Sequence, residues 1–336
     1  KKIYYVMKKL RIAIFGIGRM GSVHLKNILN HSKCDLLYIY DTNYNRRKNL
    51  SKKHNIKLVN NIDDIFMDKE VDAVFISSPT NTHLNLIAKA IKFNKQIFSE
   101  KPIDLNLKKI NSLKNKCNNY KKTFQIGFNR RFDKSISELL SKVKNNKVGN
   151  IEKIIITSRD KSPPPSLKYL KDSGGILRDC AIHDIDLLIN VLQNDKIKEV
   201  FCYPSVLFDK RVKKIGDHDT IMSMFKTEKG KIAMINNSRR SIYGYDQRIE
   251  VFGSKGMLMT KNINENSTIY YSKNSTAAEK PHLNFFLERY EDSFINQLDN
   301  FVNSCINNRK ASVSFEDCRK ALEICESLYL SAKTGK

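Results

Sequence analysis

Residues 10–21 read LRIAIFGIGRMG, a short apolar run that breaks directly into Gly16-Ile17-Gly18-Arg19-Met20-Gly21. A run of that length suits a strand buried on both faces. Three glycines spaced GxGxxG at its end suit a tight turn into a helix, where backbone amides can approach a pyrophosphate. Alone, that spacing is common. Its weight comes from the next apolar run, LLYIYD (36–41), which closes on Asp41. A carboxylate at the end of the second strand, about 20 residues on, can hold both ribose hydroxyls of an adenosine. Dinucleotide binding follows, with NAD favoured over NADP because a carboxylate repels a 2′-phosphate. Arg46 and Arg47 stand close enough to weaken that preference.

Outward from this turn the rhythm repeats. DAVFISS (72–78), QIFSEK (96–101) and TFQIGF (123–128) are separated by amphipathic stretches of helical length, the pattern of a doubly wound parallel sheet in an α/β Rossmann domain. After residue 150 the pattern changes to IEKIIITSRD (151–160), VFCYPSVLF (200–208), TIMSMFKT (220–227), KIAMINNSRR (231–240), IEVFG (249–253) and GMLMT (256–260), joined by turns. Those runs predict an α+β domain with a large, mostly antiparallel open sheet. Helices are expected at 181–192, 288–308 and 315–333. A boundary at 126–130 therefore divides the chain into an NAD-binding domain (1–128) and a second, α+β domain (129–336), with residues 1–6 read as an extension ahead of Met7.

Lys and Arg total 60 against 35 acidic residues, a net charge of +25. That excess invites a nucleic-acid or membrane-surface reading. The lysines are spread along the whole chain among many asparagines, and no segment interleaves them with aromatics as a stacking platform requires. They fit a solvated surface whose field favours anionic ligands. No stretch approaches the roughly 20 apolar residues of a membrane span. KKIYYVMKKLRIAIFG lacks a small-residue cleavage site, and seven irregularly spaced cysteines suit a reducing cytoplasm.

Two places carry chemistry. Glu100-Lys101-Pro102 closes the run at 96–101, at the sheet edge where ligands bind in open α/β folds, and Lys101 there can donate to a substrate hydroxyl. Asp179 and His183, spaced i, i+4 after a Ser173-Gly174-Gly175 entry, share one helix face. The same segment holds Asp184 and Asp186, so an acid/base site competes with a buried, hydrogen-bonded helix face. A metal shell of Asp179, His183 and His218 with Asp217 or Asp219 is the weaker alternative, since no cysteine pair or HExxH lies nearby; no metal is expected.

With GIGRMG, EKP and DCAIHDID in hand, the chain resembles the Gfo/Idh/MocA oxidoreductases over residues 8–330, nearest to their inositol-oxidising branch. The resemblance is carried by GFNRRFD (127–133), SRDKSPPP (158–165), SGGILRDCAIHDIDLL (173–188), GDHDT (216–220), NNSRRSIYGYDQRIEVFGSKGM (236–257) and KPHLNFFLERY (280–290). It implies hydride transfer from a secondary alcohol carbon of a polyol such as myo-inositol to nicotinamide. Lys101, Asp179 and His183 fall on the family's catalytic lysine, aspartate and histidine. A histidine suits a base at neutral pH, Asp179 would stabilise the imidazolium, and Lys101 would favour the developing negative charge on oxygen. Arg130 falls on the substrate-side arginine, with Asp160, Tyr243 and Tyr245 bordering the polyol. Ser158 stands where some inositol-oxidising members carry a histidine, which leaves the isomer open. Ser78, Pro79, Thr80, Asn81, His83 and Glu100 fall along the cofactor groove. The resemblance also makes residues 129–336 the substrate-binding and oligomerisation domain and implies a homo-oligomer, dimer or tetramer, formed through the open sheet face. The alternatives are a dehydrogenase for another cyclitol or sugar, and a catalytically silent NAD-binding sugar sensor; the joint retention of Lys101, Asp179 and His183 speaks against the sensor.

Overall fold

Strand β1 (Leu10–Phe15) sits near the middle of a five-stranded sheet because residues 12–15 are apolar on both sides of the strand and all four are buried. The computed structural model describes residues 9–161 and 165–336. The extension expected at 1–6 and residues 162–164 of the SRDKSPPP stretch lie outside the described residues. Two units divide the chain: residues up to Asn129 with Phe294–Arg319, and Arg130–Ser293 with Lys320–Lys336.

In the first unit, β1 is followed by α1 (Arg19–Asn30), β2 (Cys34–Tyr40), α2 (Tyr44–Lys53), α3 (Ile62–Met67), β3 (Ala73–Ile76), α4 (Thr80–Lys92), β4 (Gln96–Ser99), α5 (Leu107–Asn118) and β5 (Phe124–Ile126). The strands lie in the order β2-β1-β3-β4-β5, every pair parallel. The order reverses between β1 and β3, and a crevice opens outside the carboxyl ends of strands at such a switch point. Asparagines start three of the helices: Asn43, Asn61 and Asn106 each accept a backbone N–H of the first turn.

In the second unit, α6 (Lys134–Lys144), β6 (Ile151–Lys161) and α7 (Leu167–Asp172) precede a single π turn, Leu177–Ala181, that runs into α8 (Ile182–Leu192). Strands β7 (Ile197–Ser205), β8 (Thr220–Thr227), β9 (Ile232–Ser241), β10 (Asp246–Gly253) and β11 (Gly256–Met259) follow. With β6 they form a six-stranded sheet in the order β11-β10-β6-β9-β8-β7, antiparallel except for the β6–β9 pair. Period-two patterning decides its faces. On β8, Ile221, Ser223 and Phe225 are buried while Met222 and Met224 are exposed. A hairpin of β12 (Ile269–Ser272) and β13 (Ser275–Glu279), not anticipated from the sequence, stands outside this sheet. Helices α9 (Phe286–Arg289), α10 (Glu291–Ile306) and α11 (Phe315–Thr334) end the chain.

The stretch at 288–308, grouped with the second domain on sequence order, gives most of its apolar side chains to the first unit. Leu298, Phe301, Val302 and Cys305 of α10 are buried in one cluster with Ile12, Ile14, Leu25, Ile28 and Phe75. Phe301 meets the stacked rings of Phe75 and Phe98 edge-on, at 5.9 and 5.8 Å between centroids. Contact with that apolar surface, and not adjacency in the chain, assigns α10.

Truncating Phe301 to Ala removes a fully buried ring from this cluster. We expect a loss of about 3–5 kcal/mol in unfolding free energy by urea denaturation, because the surrounding rings collapse only partly into the space.

Candidate active site

The three glycines after β1 have separate jobs. Gly16 has φ +83°, and a Cβ there would lie 2.4 Å from Ser78 Cα, so only glycine lets this backbone pass the end of β3. A Cβ on Gly21 would lie 1.9 Å from the Gly16 carbonyl oxygen, which seats α1 against the turn. Around Gly18, at the start of α1, a Cβ would meet nothing within 4 Å. That open space, beside a helix N-terminus with no side-chain cap and no acidic residue in its first turn, is what a pyrophosphate needs.

Asp41 follows β2 and closes the same corner. Its Oδ2 accepts the Ile17 N–H at 2.8 Å and its Oδ1 accepts the Asn43 N–H at 2.8 Å. Of the two nearby arginines, only Arg46 pairs with the carboxylate, at 3.3 Å; Arg47 is buried against Tyr40 and Tyr44 and donates to Asn60. The glycine turn, the open helix start and the carboxylate fit an adenine dinucleotide.

Ser78 and the exposed Pro79 and Asn81 mark the start of α4, with Thr80 its first residue. Ser78 lies against Gly16, and its hydroxyl bonds with that of Thr82 at 2.6 Å. His83 is buried, its ring nitrogens facing the Pro102 carbonyl (Nδ1, 2.9 Å) and the Ser78 carbonyl (Nε2, 2.7 Å). Burial lowers its pKa against the pull of those two carbonyls. Arg19 is exposed and Met20 half-buried at the start of α1. Beyond β4, Glu100 is buried against His24 (2.7 Å), its other oxygen accepting the Lys101 N–H; half-buried Lys101 precedes the cis Lys101–Pro102 bond. The tie from His24 fixes the backbone from which Lys101 projects.

The second unit holds the remaining candidates. Arg130 is buried, with Nη1 2.5 Å from Asp184 Oδ1 and the guanidinium beside Ser158 and the Tyr245 hydroxyl. Asp184 also accepts from Asn237 at 2.7 Å. Desolvation raises the Asp184 carboxyl, with Arg130 opposing. Asp186 pairs with Arg131. These two aspartates therefore belong to a buried, ion-paired helix face. Asp179 and His183 are half-buried, the first in the π turn and the second on α8. A π turn is wider than an α turn, yet residues four apart still return to the same side. Asp179 accepts from the Tyr169 hydroxyl and pairs with Arg239 Nη1, each at 3.4 Å. Asp160, half-buried near the end of β6, accepts from the Cys180 thiol at 3.2 Å; burial raises its carboxyl, and Arg239 pulls it back. The Tyr243 hydroxyl donates to Asp246 and accepts from Arg159, both at 2.8 Å, whereas Tyr245 is buried.

Among the described residues no group of three or more His, Cys, Asp or Glu side chains is placed to hold a metal. Asp219 instead accepts the backbone N–H groups of Leu207, Phe208 and Asp209. Asp217 accepts the Ile176 N–H and packs on Gly175. Sequence reasoning missed His24 and Arg239. The alternation along β9, which buries Ala233, Ile235, Asn237, Arg239 and Ser241 on one face, carried the signal for Arg239.

Two family profiles match the chain: the oxidoreductase family with NAD-binding Rossmann fold over residues 10–128, and the GFO/IDH/MocA C-terminal domain over 136–259. Myo-inositol 2-dehydrogenase of Thermotoga maritima is 37% identical over 314 residues, 93% of each chain. Inositol 2-dehydrogenase of Rhizobium meliloti is 34% identical over 96% of each. The crystal structure of scyllo-inositol dehydrogenase from Lactobacillus casei with NAD(H) and scyllo-inositol superposes with a TM-score of 0.89 at 27% identity, covering 98% of both chains.

The glycine geometry separates binding from folding. We expect Gly18→Val to keep the wild-type melting temperature while weakening NAD at least tenfold by calorimetry, about 1.4 kcal/mol. Gly16→Val should lower the melting temperature itself, since its side chain strikes the Ser78 backbone.

Proposed function

The chain belongs to the Gfo/Idh/MocA oxidoreductases and is an NAD-dependent dehydrogenase acting on CH–OH, and we propose that it oxidises a ring hydroxyl of myo-inositol to the ketone. The likeness over nearly the whole chain to two inositol 2-dehydrogenases carries this reading. NAD, held by the glycine turn and Asp41, supplies the hydride acceptor. His183 takes the hydroxyl proton as the C–H hydride leaves, and Asp179 stabilises the imidazolium so formed. Lys101 donates to the substrate oxygen and offsets its developing negative charge. Arg130 and Tyr245, buried against one another, and Asp160 border the polyol, and Tyr243, 40% exposed, offers its hydroxyl to it. Ser158, buried between Arg130 and Gln247, leaves a small polar side chain on that wall and keeps scyllo-inositol as the competing substrate.

The outer face of the six-stranded sheet carries exposed Tyr203, Met222, Met224, Phe252, Met257 and Met259. A surface that apolar suits a second copy of the chain, and we assign it to a homo-oligomer, dimer or tetramer. No described helix is long and apolar enough to cross a membrane. The seven cysteines are free, as a reducing cytoplasm would keep them. The basic surface, lacking aromatic platforms, is not assigned to nucleic acid.

Reduction of NAD, followed by absorbance, should proceed with myo-inositol or scyllo-inositol and much more slowly with NADP; turnover of glucose but of no cyclitol would sink the substrate reading. Lys101→Met and His183→Ala should each keep less than about a tenth of wild-type kcat, a loss of at least about 1.4 kcal/mol of transition-state stabilisation. Met222→Asp with Met224→Asp should lower the mass seen by light scattering.

A further inference from the structure

Arg239 is 2% exposed on β9, and its Nε and Nη2 have no hydrogen-bond partner among the described residues. Burying a guanidinium is costly unless its pairing offsets the lost hydration, and an apolar side chain on the same strand face, where Ala233 and Ile235 already lie, would avoid that cost. What surrounds it is acidic. Asp179 is 3.4 Å from Nη1; burial works against the charge of the guanidinium, and the carboxylates of Asp179, Asp160 and Asp217 raise its proton affinity. Asp160 and Asp179 in turn repel one another, and burial disfavours the charge on Asp160. Without a cation between them, two neighbouring carboxylates compete for one proton.

We propose that Arg239 is a positioning residue of the active site, the counter-charge that lets Asp160 and Asp179 stand together as anions and holds Asp179 in place for His183. This rests on the proposed roles of Asp179 and His183. The groups facing the cluster are Asp160 from β6, Tyr169 from α7, Cys180 next to Asp179 in the π turn, Asp217 ahead of β8, and Arg130 with Tyr245 toward Asp160.

Two measurements test it, one independent of turnover. When the cation is removed, carboxylate repulsion is small where the groups are protonated and grows as they lose protons. The melting temperature of Arg239→Met should therefore fall further below wild type at about pH 8 than at about pH 5. Adding Asp160→Asn to Arg239→Met should narrow the gap at the higher pH. In turnover, Arg239→Met should lose at least about tenfold in kcat/KM at about pH 7 and move the acidic limb of its pH profile upward. Arg239→Lys should keep the limb where wild type has it. A gap equal at both pH values, no narrowing with Asp160→Asn, or a limb displaced as far in Arg239→Lys as in Arg239→Met overturns the proposal. Arg239→Gln replaces Arg239→Met should the latter not fold. Failure of both to fold at about pH 5, where the carboxylates are nearest neutral, also overturns it. Absence of cyclitol turnover in the wild type bears on the function reading alone, and the melting comparison still decides the role of Arg239.

Discussion

At the end of β1 the backbone has no room for a side chain, and the cofactor end of the first unit depends on that constraint. Gly16 passes Ser78 at a distance that any Cβ would violate, and Gly21 lies directly under the Gly16 carbonyl. These two contacts pull β1, β3 and α1 together at the carboxyl edge of the sheet. Asp41 locks the corner through the Ile17 N–H. The open space then falls at Gly18, where the helix presents its N-terminus. Glycine is needed at Gly16 and Gly21 for the backbone already there, whereas Gly18 leaves the helix start open.

The second unit solves a different problem, that of placing many charges under an antiparallel sheet. Arg130 pairs with Asp184, Arg131 with Asp186 and Arg289 with Asp133, which also caps α6. Such pairs gain little net stability over apolar packing, because desolvation cancels most of the Coulomb attraction. They do hold each partner in one orientation. Asp179 and His183, at the junction of the π turn and α8, are less buried than Asp184 and Asp186. A widened turn at that junction is a departure from helical regularity of the kind that gathers at functional sites.

The net charge of +25 and the apolar sheet face act at different ranges. Lysines scattered over the surface give a long-range field that draws in anions such as a dinucleotide and that salt screens. The exposed methionines and aromatics of β7, β8, β10 and β11 act only on contact.

By itself the sequence determined whatever is local. Period-two and buried-run patterns placed all eleven strands of the two main sheets to within a few residues. The spacing of Gly16, Gly18 and Gly21 before Asp41 identified the dinucleotide corner, because turn geometry and strand length fix those residues relative to one another. Tertiary structure alone decided that Leu298, Phe301 and Val302 complete the core of the first unit, some 200 residues or more along the chain from the strands they cover. It decided that Asp184 and Asp186 are ion-paired while Asp179 is shared with Tyr169 and Arg239, although all three aspartates lie within one short segment. Periodicity tells which face of an element is buried; it does not tell which distant side chain will be buried against it, and a charge takes its role from that partner.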